Sequence, residues 1–230
     1  MPGVPQGGIQ ARPVPPLHGV TVLVVEDSRF ASEALRLMCQ HSGARMRRAD
    51  SLAQARRHLA VWRPDVVIVD LGLPDGEGTD LIRELAAPPG FGPAILASSG
   101  DPGLRAAALG AGAAGFLEKP VNSLAAFQAA ILRLFPGAPP PGVDQPPVPF
   151  PDHLALTDDL VHAAALLAQP AGAGQRGYLT RFLSGLAQAA GDGALALAAQ
   201  RAAAGEEGLP ALSALVQVRL AGAPAPFGPG

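Results

Sequence analysis

The sequence predicts an α/β protein, a doubly wound five-stranded parallel sheet, followed by a small all-α helical domain. Three observations carry this. Between Thr21 and about Phe135, five short apolar runs alternate with five helical stretches. The runs are apolar throughout rather than at every second residue, as strands covered on both faces require. Past a proline-rich stretch, the remaining sequence is rich in Ala, Leu and Gly, with helical spacing punctuated by single glycines, which fits a small bundle.

Thr21-Val-Leu-Val-Val25 reads as a buried strand leading into a helix from about Ser28 to His41, with Phe30, Ala34, Leu35 and Met38 at helical spacing. Ala44 to Arg48 is a weaker strand. Ser51 can cap the next helix, which ends before Pro64. Asp65-Val-Val-Ile-Val-Asp70 is a continuous apolar strand ending in a carboxylate, and a helix follows from about Gly78 to Ala87. Pro93 to Ser98 is a fourth strand, Pro102 to Ala111 a helix and Gly115 to Leu117 a fifth strand. Ser123 caps a last helix to about Phe135.

Residues 1–18 are rich in Pro and Gly and read as a disordered leader. The first domain then covers 19–135. In the segment 136–151 half of the residues are proline, which predicts an extended spacer of up to roughly 50 Å at about 3.1 Å per residue. A helical interaction or dimerisation domain spans 152–222, and 223–230 is a frayed tail. Within it, Thr157 is the expected cap, with Asp158 and Asp159 in the first turn, of a helix to about Gln169. Further helices are expected over 175–190, 194–204 and 209–220.

Composition narrows the function. A formal charge of −2 argues against a dominant nucleic-acid-binding surface. The single cysteine, Cys39, excludes an internal disulfide framework, fits a reducing compartment and is expected to pack on a helix. No uninterrupted apolar run of about 18 residues occurs, so no membrane span is expected, and the leader has no apolar segment of a secretory signal. The expected location is cytoplasmic.

Of the 17 basic residues all but Lys119 are arginine. An ammonium is a compact charge on a flexible stem and reaches a phosphoryl oxygen in a tight pocket, where the broad guanidinium fork does not fit. Glu26 and Asp27, Asp70, Ser98 and Lys119 all fall just past carboxyl ends of predicted strands, the rim where doubly wound sheets bind ligands. Carboxylates gathered there repel by about 4 kcal/mol per pair at 4 Å for an effective dielectric near 20. A hard divalent cation relieves this, and Mg²⁺ suits a site that also receives a phosphoryl group.

Val24-Val-Glu-Asp-Ser28, Val69-Asp-Leu-Gly-Leu-Pro-Asp-Gly76, Ala97-Ser-Ser99 and Glu118-Lys-Pro120 resemble the signature stretches of the response-regulator receiver domain of two-component signalling. The resemblance covers residues 20–135 in order and spacing, and implies a flavodoxin-like strand order. It implies that Asp70 is the phosphoacceptor and that Glu26, Asp27, Asp70 and the Gly72 carbonyl hold Mg²⁺. Lys119 would pair with the phosphoryl oxygens, Ser98 would be the switch hydroxyl and Phe116 the switch aromatic. A cis bond before Pro120 is also implied. The partner would be a sensor histidine kinase or a histidine phosphotransfer protein, and the chain would be a signalling protein rather than a conventional enzyme.

Taken singly, these residues have plainer readings: Asp70 or Asp27 as a helix cap, Phe116 as core, Asp75 and Asp101 as turn and cap residues. The Arg47-Arg48 and Arg56-Arg57 pairs read as solvated faces, and Trp62 as packing over a helix end. From Phe150 onward four arginines face six acidic residues, which disfavours a DNA-reading face. The helical half is therefore expected to pair its apolar stripes with a protein partner or a second copy. The alternatives are a divergent DNA-binding regulator and a phosphorelay bundle using His162, although Ala163-Ala-Ala-Leu-Leu167 lacks the Lys and Gly of the phosphotransfer motif.

Overall fold

The computed structural model describes residues 14–87, 92–135, 153–169 and 172–222. Five parallel strands form one sheet: β1 (Thr21–Val25), β2 (Arg45–Ala49), β3 (Val66–Asp70), β6 (Ala94–Ser99) and β7 (Gly115–Glu118). A two-stranded hairpin, β4 (Gly72–Leu73) and β5 (Gly76–Glu77), lies between β3 and the next helix. The helices of this half are α1 (Arg29–Ser42), α2 (Leu52–Val61), α3 (Gly78–Ala86), α4 (Arg105–Gly110) and α5 (Leu124–Leu132).

The sheet order is β2-β1-β3-β6-β7, the flavodoxin-like order whose direction reverses between β1 and β3. Alternation along the strands splits the core in two. Leu23, Val25, Val67 and Val69 pack toward α2, α3 and α4. Val22, Val24, Val66 and Ile68 pack toward α1 and α5. Both faces of the central strands are thus buried, the physical reason these runs carry no polar alternation.

Local chemistry sets the ends. The Ser28, Ser51 and Ser123 side chains each accept a backbone N–H and cap α1, α2 and α5. Asp75 adds to the second of these, its carboxylate accepting the Leu52 and Ala53 N–H groups at 2.9 Å each. Gly43 closes α1 at φ +80°, a left-handed cap open to glycine. The Pro102–Leu104 stretch is a single 3₁₀ turn capped by Asp101, so the predicted fourth helix is shorter than expected.

Four more helices follow: α6 (His153–Leu167), α7 (Ala173–Ala190), α8 (Gly193–Ala204) and α9 (Leu209–Ala221). Leu160, Leu179, Leu183, Leu195, Leu212 and Val216 build their shared core. Asp192 caps α8 and receives Arg219 of α9 at 2.6 Å. None of the described helices is long and apolar enough to cross a membrane.

Three expectations are corrected here. Leu17, assigned to a disordered leader, is fully buried, and its N–H bonds the Ser42 carbonyl at 2.9 Å; residues 1–13 lie outside the described residues. Thr157 does not cap a helix. It lies inside α6, and its hydroxyl donates back to the His153 carbonyl at 3.0 Å. Asp159 in turn caps not its own helix but α1: its carboxylate accepts the Ser28 hydroxyl at 2.7 Å and the Arg29 and Phe30 N–H groups at 2.9 and 3.0 Å. The proline-rich spacer and the tail lie outside the described residues.

Part of the apolar surface of the later helices is met from within the chain, while Val161, Leu197 and Val218 stay exposed. Phe30, at helical spacing with Leu35 and Met38, is buried in the core of α6–α9 rather than beside them. Arg29 and Asp158 add an exposed ion pair at 2.6 Å along this seam.

Candidate functional site

The carboxyl ends of β1 and β3 are adjacent in the ladder, Val25 opposite Val69. They deliver Glu26, Asp27 and Asp70 to one place, where each carboxylate has an oxygen within 4.8 Å of the others. Glu26 and Asp70 are buried and Asp27 half-buried. From the end of β7, Lys119 reaches in, its Nζ 2.6 Å from Glu26 and 3.1 Å from Asp70. The Lys119–Pro120 bond is cis. Ser98 stands opposite Asp70 across the β3–β6 ladder. Gly72 begins the hairpin just beyond Asp70, and Gly78 opens α3 against it. A Cβ on Gly78 would lie 2.0 Å from the Asp70 carbonyl oxygen, so only glycine lets α3 start there.

The electrostatics follow from burial and crowding. Burial, then the Asp70 and Asp27 charges, push the Glu26 carboxyl up to about 8 despite the Lys119 ammonium beside it. Burial and the Asp70 charge push Asp27 up to about 6. For Lys119, burial disfavours the charged form, but Asp70 and Glu26 outweigh it and hold the ammonium above its usual range. One ammonium does not balance three carboxylates, so the cluster retains a proton near neutral pH unless another cation joins it. The donor set is all oxygen, which fits Mg²⁺.

The Ser98 hydroxyl is buried and, among the described residues, has no hydrogen-bond partner. Such an atom costs free energy unless something outside the chain completes it. Phe116 lies on the neighbouring strand β7 opposite Ala97, buried in the core toward α3 and α4, with the Arg105 guanidinium 5.0 Å from its ring centre.

Four participants escaped the sequence reading. Arg48, expected on a solvated face, donates to the carbonyls of Glu26 and Asp27 at 3.1 and 2.6 Å, and so fixes the loop bearing both acids. Its neighbour Arg47 lies over the Trp62 ring at 4.5 Å. The Tyr178 hydroxyl donates to the Asp27 carboxylate. Arg181 pairs with Glu77 at 3.5 Å. Asp159 caps α1 beside the site. A tyrosine, an arginine and an aspartate on remote helices carry no spacing signal toward a strand end, so only Arg48, on a strand adjacent to the acids, was within reach of pattern reasoning. His162 is exposed on α6, its ring edge-on to Phe182 at 5.9 Å.

The residues of this rim fall within a match to the response regulator receiver domain over residues 22–131. Residues 22–131 are a response regulator receiver domain. Among curated relatives, the KDP operon transcriptional regulatory protein KdpE of Escherichia coli is 36% identical over 99 residues, 43% of this chain and 44% of that protein. The response regulator MprA of a Mycobacterium species is 32% identical over 136 residues, 58% of each. For the virulence transcriptional regulatory protein PhoP of Salmonella typhimurium the match is 44% over 62 residues, 27% of this chain and 28% of that protein. The chain thus spans between about a quarter and three-fifths of the length of these relatives. Among solved structures, the receiver domain of a signal transduction histidine kinase from Syntrophus aciditrophicus is 25% identical, with a TM-score of 0.47, over 56% of this chain and 98% of that one. The chemotaxis response regulator CheY4 of Vibrio cholerae is 22% identical, with a TM-score of 0.45, over 50% of this chain and 98% of that one.

Proposed function

We propose that the chain is a two-component response regulator whose receiver accepts a phosphoryl group on Asp70, and whose phosphorylation state controls the helical half. The observation that carries this is the convergence of Glu26, Asp27 and Asp70 within 4.8 Å beside the half-buried Lys119. A phosphohistidine on a sensor kinase or phosphotransfer protein is the donor. An Asp70 carboxylate oxygen bonds to phosphorus as the N–P bond breaks, and the electron pair returns to the imidazole. Phosphoryl transfer asks mainly for positioning and charge neutralisation. Glu26, Asp27, Asp70 and the Gly72 carbonyl would hold Mg²⁺, which supplies positive charge toward the phosphoryl oxygens. Lys119 supplies a second, fixed positive charge. The unspent Ser98 hydroxyl is available to donate to a phosphoryl oxygen, and the adjacent Phe116 is the bulky group whose packing responds.

Acetyl phosphate with Mg²⁺ tests this. Incorporation of base-labile, hydroxylamine-sensitive phosphate at Asp70, lost in Asp70→Asn, is the expected result. Undiminished labelling of Asp70→Asn would overturn it.

For the helical half, the excess of acidic over basic residues and the exposed Val161, Leu197 and Val218 favour a protein-contacting module in the cytoplasm. A second reading, DNA binding, draws on the names of KdpE and PhoP as transcriptional regulatory proteins. Tight, salt-sensitive retardation of random DNA fragments by the full chain would favour it.

A further inference from the structure

Helix α7 crosses the mouth of the acidic pocket. Tyr178 bonds Asp27 on the β1–α1 loop, and Arg181, one turn on, pairs with Glu77 on the hairpin after β3. Gln188, two turns further, brings its side-chain oxygen to 3.0 Å from where a Cβ on Gly100 would sit, in the loop after β6. Residues 178, 181, 185 and 188 lie on one helical face at spacings of three and four. They span about 15 Å at 1.5 Å per residue. A single helix face therefore bridges three of the loops that form the site.

The space beneath is a cavity of about 420 Å³. Glu26, Asp70 and Lys119 line its polar end, and Phe182, Gly185 and Leu186 of α7 roof it. The seam beside it is built rather than incidental. Asp159 is buried and takes three hydrogen bonds from the first turn of α1, and Phe30 is buried among the helices.

We propose that the helical half is a cis-acting lid on the phosphoacceptor pocket, held by Tyr178 on a cation-binding carboxylate and by Asp159 on the N-terminus of α1. Lid closure and occupation of the pocket by a divalent cation or a protein phosphodonor are then mutually exclusive. The Tyr178 hydroxyl takes a lone pair that a cation would use, and α7 covers the path by which a phosphohistidine would approach. By linkage, whatever fills the pocket releases the helices to the same degree that the helices weaken its binding. The output of phosphorylation is then the exposure of α7 and of the surface around Phe30. The proposal rests on the receiver reading above for the identity of the donor, but the competition itself requires only the carboxylates and the lid.

The test uses the full chain and its Tyr178→Phe and Asp159→Ala variants. Mg²⁺ affinity is measured by calorimetry at pH 8, and docking by hydrogen exchange at the Arg29 and Phe30 amides. Loss of one hydrogen bond to a charged group predicts Mg²⁺ binding about ten- to a hundredfold tighter in Tyr178→Phe. Asp159→Ala should also bind more tightly, and its two amides should exchange faster without Mg²⁺. In the parent chain, saturating Mg²⁺ should raise exchange at the same amides. Affinities within twofold of the parent in both variants, no measurable binding by any of them, or amide exchange indifferent to Mg²⁺ would overturn the lid. If these shifts appear while acetyl phosphate labels no variant at Asp70, the lid stands and the phosphoacceptor reading falls.

Discussion

Ser98 faces Asp70 across the β3–β6 ladder, and its buried hydroxyl is without a hydrogen-bond partner among the described residues. Removing an unsatisfied buried hydroxyl costs little, because its desolvation penalty goes with it. Ser98→Ala should therefore leave the unfolding free energy within about 1 kcal/mol of the parent, or raise it. The same substitution should uncouple phosphorylation from any change at Phe116. Urea unfolding, paired with hydrogen exchange around Phe116 before and after acetyl phosphate treatment, checks both halves of this statement.

Lys119→Arg keeps the charge and changes the shape. The ammonium fits between Glu26 and Asp70 at 2.6 and 3.1 Å, in a pocket where its side chain is 14% exposed. A planar guanidinium cannot reproduce both contacts there without displacing the loop. Labelling of Asp70 by acetyl phosphate should fall about tenfold or more, a loss of at least ~1.4 kcal/mol in transition-state stabilisation. Parent-like labelling would show that only the charge matters.

Without a divalent cation, the folded chain should lose stability as pH rises from about 4.5 to 8. The sign follows from the direction of the shifts. Glu26 and Asp27 keep protons in the fold up to about 8 and about 6, whereas in the unfolded chain they release them near 4.5 and 3.8. Between those values the folded state binds more protons than the unfolded state, so each group lowers stability with rising pH, by at most about 1.4 kcal/mol per pH unit. Unfolding by urea in EDTA at pH 5, 6.5 and 8 reads this slope. Glu26→Gln should flatten it above pH 6, and Mg²⁺ should reverse it, since the cation binds the ionised carboxylates.

Phe30→Ala should cost about 3–5 kcal/mol, the usual range for deleting a buried aromatic ring. The loss should fall on the helical half, because Phe30 packs with Leu160, Leu179 and Leu183 although it belongs to α1. Hydrogen exchange resolved by residue checks the location: faster exchange in α6 and α7, with β1 and β3 unchanged. Uniform acceleration across the sheet would assign Phe30 to the wrong core.

What could be read from the sequence was local or repetitive. Val22 to Val25, Val66 to Val69 and Ile95 to Ala97 announce buried strands because no polar residue interrupts them, and Ser28, Ser51 and Ser123 announce helix starts through their own hydroxyls. Glu26, Asp27, Asp70 and Lys119 stood out because strand ends in a parallel sheet share one rim. What escaped involved docking. Asp159 and Thr157 have the same capping chemistry in sequence, yet one caps a helix 129 residues away in sequence and the other none. Phe30 satisfied the helical period and still turned to a different core. The two-residue strands at Gly72 and Gly76 are too short for any periodicity to register. Tyr178 and Arg181 gain their meaning only from the loops that α7 crosses, which no pattern within α7 encodes.

The chain has a single side-chain amine outside its arginines, and it is shut inside the pocket and held protonated by two carboxylates. Acylating reagents should spare it while the helices stay docked, for want of both access and a free lone pair. Its acylation rate, read at that position apart from the α-amine, then becomes a clock for opening, reporting how often the cover lifts.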